Sequence, residues 1–126
     1  MANRNFSELQ ALDRGVKVIA GSFAPNGSSA VSALSNKGIG WSVARTSAGL
    51  FTVTLEDSYI SLISGTVSLQ LATADDKFCQ IGTCEVVTAK TVEIRVWDIS
   101  GTAVTDVAAD ANNRINFCLI LKNSGV

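Results

Sequence analysis

Thr91-Val92-Glu93-Ile94-Arg95-Val96-Trp97 alternates polar and apolar side chains without a break. Successive side chains on a strand point to opposite faces, so Val92, Ile94 and Val96 share one face while Thr91, Glu93, Arg95 and Trp97 share the other. A helix would scatter the same three aliphatic residues around its axis. The branched and aromatic content also suits a pleated surface with one side in a core. The stretch therefore reads as a half-buried strand.

The same period of two recurs outward along the chain. Phe51, Val53 and Leu55 alternate with Thr52 and Thr54, and Val67, Leu69 and Leu71 alternate with Ser68 and Gln70. Near the end, Ile115, Phe117, Leu119 and Leu121 fall on one face, opposite Asn116, Cys118 and Ile120. Trp41, Val43 and Arg45 make a shorter strand, and Lys17–Phe23 and Cys79–Val87 add two more. Turn chemistry separates these runs. Pro25-Asn26-Gly27-Ser28-Ser29 combines a fixed φ with residues that accept positive φ. Ser47-Ala48-Gly49 is short enough for a hairpin, Asp98-Ile99-Ser100-Gly101 closes the Thr91–Trp97 strand, and Asn112-Asn113 precedes the last one. The pattern predicts an all-β fold: a single β-sandwich or jelly-roll-like domain of about seven or eight antiparallel strands. It spans 17–126, behind an N-terminal arm over 1–16 that is polar and lacks the strand pattern.

Helical signals are sparse. Asp57-Ser58 has capping chemistry and Gly65 a stop signal, which predicts a turn or two of helix over Tyr59–Ile63. Ser7 and Gln10 have the spacing of a capping box, predicting a second turn in Phe6–Leu12.

Composition narrows the function. At 126 residues the chain fits one domain with one modest core. Charged residues make up 17%, below the usual share of about a quarter. Low charge leaves apolar surface for contact with other subunits. The net charge is −1 and the ten basic residues form no cluster, so neither a phosphate backbone nor a membrane surface is expected as a partner. The N-terminal stretch MANRNFSELQALDRG has no apolar secretory core, so assembly in a cytoplasm is expected. Cys79, Cys84 and Cys118 are odd in number and read as small apolar side chains. A Cys79–Cys84 bridge requires a turn at Gly82, since residues five apart on a straight strand face opposite sides.

Histidine is absent, which removes the Ser-His-Asp and Cys-His nucleophile pairs and the commonest metal ligand. The cysteine spacing fits no standard zinc pattern. Paired carboxylates can carry glycoside hydrolysis, but Glu56-Asp57 and Asp75-Asp76 sit at strand ends, where adjacent acids are ordinarily solvated or capping. Gly38-Ile39-Gly40 runs into a strand rather than a helix, so it is no dinucleotide fingerprint. No serine has lysine three residues on. No enzyme, cofactor or metal site is expected. Trp97, opposite the buried face of its strand, is the aromatic best placed for a subunit contact.

The succession Gly21-Ser22-Phe23, Lys37-Gly38-Ile39-Gly40-Trp41-Ser42-Val43-Ala44-Arg45-Thr46 and Gly49-Leu50-Phe51-Thr52-Val53-Thr54-Leu55 resembles a family of small tailed-bacteriophage virion proteins. The likeness continues through Gln80-Ile81-Gly82, Lys90-Thr91-Val92-Glu93-Ile94 and Asn113-Arg114-Ile115-Asn116-Phe117 to Leu121-Lys122-Asn123-Ser124. It covers most of the chain from Leu12. The family looks like capsid decoration, or cement, proteins. The resemblance implies a β-sandwich that sits as a homotrimer on the outer capsid surface, binds the major capsid protein across capsomers and is made in the bacterial host cytoplasm. Nothing in it requires the three cysteines. Position and chemistry make Arg4, Phe6 and Leu9 in the arm, Asn26 in the Pro25–Asn36 loop, and Trp97 the expected contact residues. That loop reads as polar and flexible. The rival expectation is a receptor- or glycan-binding module of a fibre or tail, built on Trp97 or on Asp75–Phe78.

Overall fold

The computed structural model describes residues 15–99 and 103–123. Among them lie eight strands: β1 (Val16–Phe23), β2 (Trp41–Ser47), β3 (Leu50–Leu55), β4 (Ser61–Gln70), β5 (Lys77–Glu85), β6 (Thr91–Asp98), the two-residue β7 (Ala103–Val104) and β8 (Arg114–Lys122). They form two antiparallel sheets, one ordered β1-β8-β4 and the other β2-β3-β6-β5, with β7 paired to the end of β6. The all-β sandwich expected from the sequence is therefore present. The first strand starts one residue before the expected boundary, at Val16, which pairs with Lys122. The rest of the expected arm, apart from Gly15, and the helical turn in Phe6–Leu12 lie outside the described residues.

The core follows from the period of two. Ile115, Phe117, Leu119 and Leu121 of β8 face Val92, Ile94 and Val96 of β6 across the sandwich, with Phe51, Val53 and Leu55 of β3 beside them in the same sheet. Each such side chain contributes roughly 1.5–3 kcal/mol when fully removed from water. At the β1–β2 side the aromatic rings gather. Phe23 lies 5.3 Å from Phe51, and Trp41 meets Phe117 edge-on at 4.8 Å. Gly21 of β1 makes this possible, because a Cβ there would lie 2.5 Å from the Trp41 indole and 2.6 Å from Phe117. On the far side Gly65 of β4 lets Ile81 of β5 approach in the same way, since its Cβ would meet Ile81 Cδ1 at 2.6 Å.

Three expectations give way to tertiary demands. No helix forms over Tyr59–Ile63: Tyr59 N–H donates to Val86 O at 2.9 Å and Ile60 N–H to Lys122 O at 2.8 Å. Those bonds draw the segment alongside β8, whose second neighbour it becomes from Ser61 onward. The loop Pro25–Asn36 is not the loose segment its composition suggests. It buries Pro25 and ends in a short 3-10 turn (Ala33–Ser35). Arg114 fastens that turn to the sheet, donating to Ser22 Oγ at 2.8 Å and Ser35 O at 2.6 Å. Lastly, a bulge between Ile81 and Cys84 shifts the register, so Cys79 and Cys84 point to the same, inner face opposite Val96 and Val92. Those partners are four positions apart on β6, about 13 Å of strand, and both cysteines are free. Cys118 stands on the outer face of the other sheet, between Ala20 and Thr66.

Candidate functional site

The outer face of the β2-β3-β6-β5 sheet is assembled by register alone. Thr91, Glu93, Arg95 and Trp97 project outward from β6. Across from them stand Thr54, Thr52 and Leu50 of β3 and, on the other side, Gln80 and Phe78 of β5. Its β2–β3 part is rich in hydroxyls: Ser42 of β2 pairs with Thr54, Ala44 with Thr52, and the Thr46 and Thr52 hydroxyls are 2.7 Å apart. Glu93 and Arg95 close an ion pair at 2.5 Å in its centre.

One end of the face is apolar. Phe78 stands directly across from Trp97, and Ile99 follows just past the strand end. Phe78 is 42% exposed and Ile99 61% exposed, against a half-buried Trp97. The indole is fixed in place by donating its Nε1–H to Gln80 Oε1. Ile99 is held by its N–H on Asp76 O at 3.0 Å. A ring whose polar edge is already engaged presents chiefly an apolar surface, the chemistry of an interface anchor.

Trp97 is thus where the sequence placed it, Phe78 belongs to the Asp75–Phe78 stretch expected only for a glycan-binding module, and Ile99 was missed. Ile99 sits in a turn that carries no period. The other expected contact residues do not join this face. Asn26 belongs to the turn after β1, where its Nδ2 donates to Ala30 O at 3.2 Å and its carbonyl accepts from Ser29 N–H at 3.0 Å. The next residue, Gly27, donates to Val107 O at 2.9 Å. Asn26 holds its loop in shape while remaining exposed. Arg4, Phe6 and Leu9 lie outside the described residues.

A cleft of about 370 Å³ between residues 71–77 and 106–113 gathers Asp75, Asp106 and Asp110. Each carboxylate is already engaged. Asp75 is paired with Lys77, and Asp110 accepts from Asn112 N–H at 2.8 Å. Asp106 accepts from Arg45 Nε at 2.9 Å, from Arg45 Nη2 at 2.7 Å and from the Gly49 N–H at 3.0 Å. The Arg45 hydrogen bonds hold the Asp106 carboxyl below its usual range despite some desolvation. Asp106 thereby clamps the β2–β3 hairpin tip to the strand-like segment after β7. Gly49 itself has φ +67°, and a Cβ would lie 2.5 Å from Thr105 N. Elsewhere, burial pushes the Cys79 thiol up to about 12, far from the thiolate a nucleophile requires. Burial, then the charge of Glu85, raises Cys84 as well. No family model, curated protein or solved structure matches this chain.

Proposed function

We propose that the chain is a capsid decoration protein of a tailed bacteriophage, binding the outer surface of the head across capsomers as a homotrimer. The observation that carries this reading is the apolar end of the outer sheet face, where Phe78 and Ile99 stand exposed beside an indole locked by Gln80. A cement needs pre-ordered adhesive surface rather than a reacting group, and anchors held rigid before contact lose little entropy on binding. The sequence resemblance supplies the phage head as the setting. Binding the assembled shell and not its separated parts stabilises it by mass action, and three linked copies multiply weak contacts.

The test is to strip the protein from virions and follow DNA release on heating. Earlier release from stripped particles, reversed by adding the protein back, is expected. Unchanged release with the protein shown to be absent would remove cementing. The aromatic pair, on a face rich in hydroxyls at its β2–β3 part, also fits the platform of a glycan-binding virion module. Glycan-array signal that disappears in Phe78→Ala, without capsid binding, would favour that second reading.

A further inference from the structure

Among the described residues, the edge of β1 away from β8 carries one bridge, Ser22 to Lys37, and is otherwise unpaired. β1 pairs with β8 on one side. In an antiparallel pair only alternate residues bond to the partner; the others direct N–H and C=O the opposite way. Ser22 shows which set faces outward, because its N–H donates to Lys37 O at 2.9 Å and its C=O accepts from Lys37 N–H at 2.7 Å. Val16, Val18 and Ala20 share its parity. Lys37 thus begins a second neighbour for β1, and the chain abandons it one residue later: Gly38 has φ +110° and turns away. Its position admits no side chain, since a Cβ would lie 2.4 Å from Ala20 O.

A groove of about 480 Å³ remains along this edge, lined by 17–20 of β1, Gly38, Ile39 and Gly40 on one wall, and Glu56, Asp57 and Tyr59 on the other. Ile39 stands 90% exposed on its rim, while the Tyr59 ring is buried at its base. Glu56 and Asp57 are exposed and form no ion pair among the described residues. Donor–acceptor pairs recurring every second residue, about 6.6 Å apart, match one kind of ligand: an extended polypeptide backbone. Glu56 and Asp57 outnumber Lys17, the one cation in the lining, so the net charge of the groove favours basic side chains.

We propose that this groove takes an extended segment of a partner protein, added antiparallel to β1, with a basic side chain toward Glu56 and Asp57. The inference is independent of the aromatic face and stands or falls without it.

Amide hydrogen exchange on the full chain tests it. In dilute protein the Val18 and Ala20 amides should exchange at least about 100-fold faster than those of Ile19 and Gly21, which bond to β8. The blocked peptide TVKVKVT should then slow Val18 and Ala20 about tenfold or more. It should leave Gly65 and Val67, on the open side of β4, unchanged. The acidic peptide TVEVEVT should bind at least about tenfold more weakly at low salt, a preference reversed in E56K/D57K. Val18→Pro removes one groove-facing N–H and no ladder bond, and should abolish the effect. An N-methylated TVKVKVT gives the same loss with the protein unaltered. Three results would overturn the proposal. Protection of Val18 and Ala20 at all concentrations would mean that residues 1–14 of the same chain fill the groove. Protection that grows with concentration would assign it to a second copy. Failure of the basic peptide to slow these amides at millimolar concentration, or equal binding of the acidic one, would refute the partner chemistry.

Discussion

Gly21→Ala should be among the most destabilising single-methyl additions available in this protein. The new Cβ would sit 2.5 Å from Trp41 Cε2 and Cζ2 and 2.6 Å from Phe117 Cζ, closer than real contacts allow. Neither ring can retreat freely. Trp41 is 7% exposed and packs edge-on against Phe117, and Phe117 in turn lies 6.5 Å from the fully buried Phe23. Overpacking of this kind costs about 1–3 kcal/mol, and three clashing atoms place it at the upper end. Alanine returns roughly 0.4–1 kcal/mol by restricting the unfolded chain. The net loss is about 2 kcal/mol. With an unfolding entropy of about 2.1 cal/mol/K per residue, 126 residues translate that into a Tm lower by about 8 °C. Thermal unfolding measures the shift, and Trp41 fluorescence in a Trp97→Phe background reports whether the indole has moved. Trp41→Leu should relieve the clash, so the double mutant should be more stable than the sum of the two single losses by over about 1 kcal/mol. A Gly21→Ala variant within about 0.5 kcal/mol of the parent, or strictly additive losses, would refute the account of why glycine stands there.

Phe78→Ala and Ile99→Ser should leave the Tm within about 2 °C, because both side chains are largely outside the core, yet weaken attachment to virions about tenfold or more in a pelleting assay. Acidification should expose the Arg45–Asp106 clamp. The Asp106 pKa is depressed in the fold, so its contribution is complete above the ordinary carboxylate range and disappears as the pH falls through the depressed value. Asp106→Asn should lower the Tm at pH 7 and flatten the acid limb of a Tm–pH curve. Lys90 holds φ at +61°, a conformation that costs a side chain about 1–2 kcal/mol and glycine little. After the larger entropy loss of glycine, Lys90→Gly should raise stability by about 0.5 kcal/mol, read in urea unfolding at constant m-value.

Much of the fold was written in period two, and the places where it was not share a cause. Each strand that carries three or more inward residues was legible, from Val92–Val96 to Ile115–Leu121, because burial on one face fixes both the element and its register. Reading failed where a local signal competed with a partner remote in sequence. Asp57-Ser58 is a sound cap, yet Lys122, more than sixty residues on, takes the Ile60 N–H and makes the segment a strand. Ser32 and Ser35 look like linker residues, yet Arg114 pins their turn. The β5 bulge hid the common facing of Cys79 and Cys84.

The candidate surfaces divide along the same line. Trp97 could be assigned to the outer face because it continues an alternation; that Phe78 stands directly across from it could not be read, because pairing is decided between strands rather than within one. The β1 groove was further from reach. Gly38-Ile39-Gly40 advertises itself in sequence as half of a phosphate-binding fingerprint, whereas its physical role is to leave a sheet edge. Gly38 turns the chain off β1, Gly40 at φ +92° leads it into β2, and the exposed Ile39 is left between them on the rim. An edge strand ordinarily carries charge, proline or a bulge that discourages further pairing. Val16–Ala20 carries one lysine and none of the other devices, and the two carboxylates stand on the opposite wall rather than on the strand. An edge left open in this way among the described residues, beside a wall with two carboxylates, is better accounted for by a strand that arrives than by a defence against one.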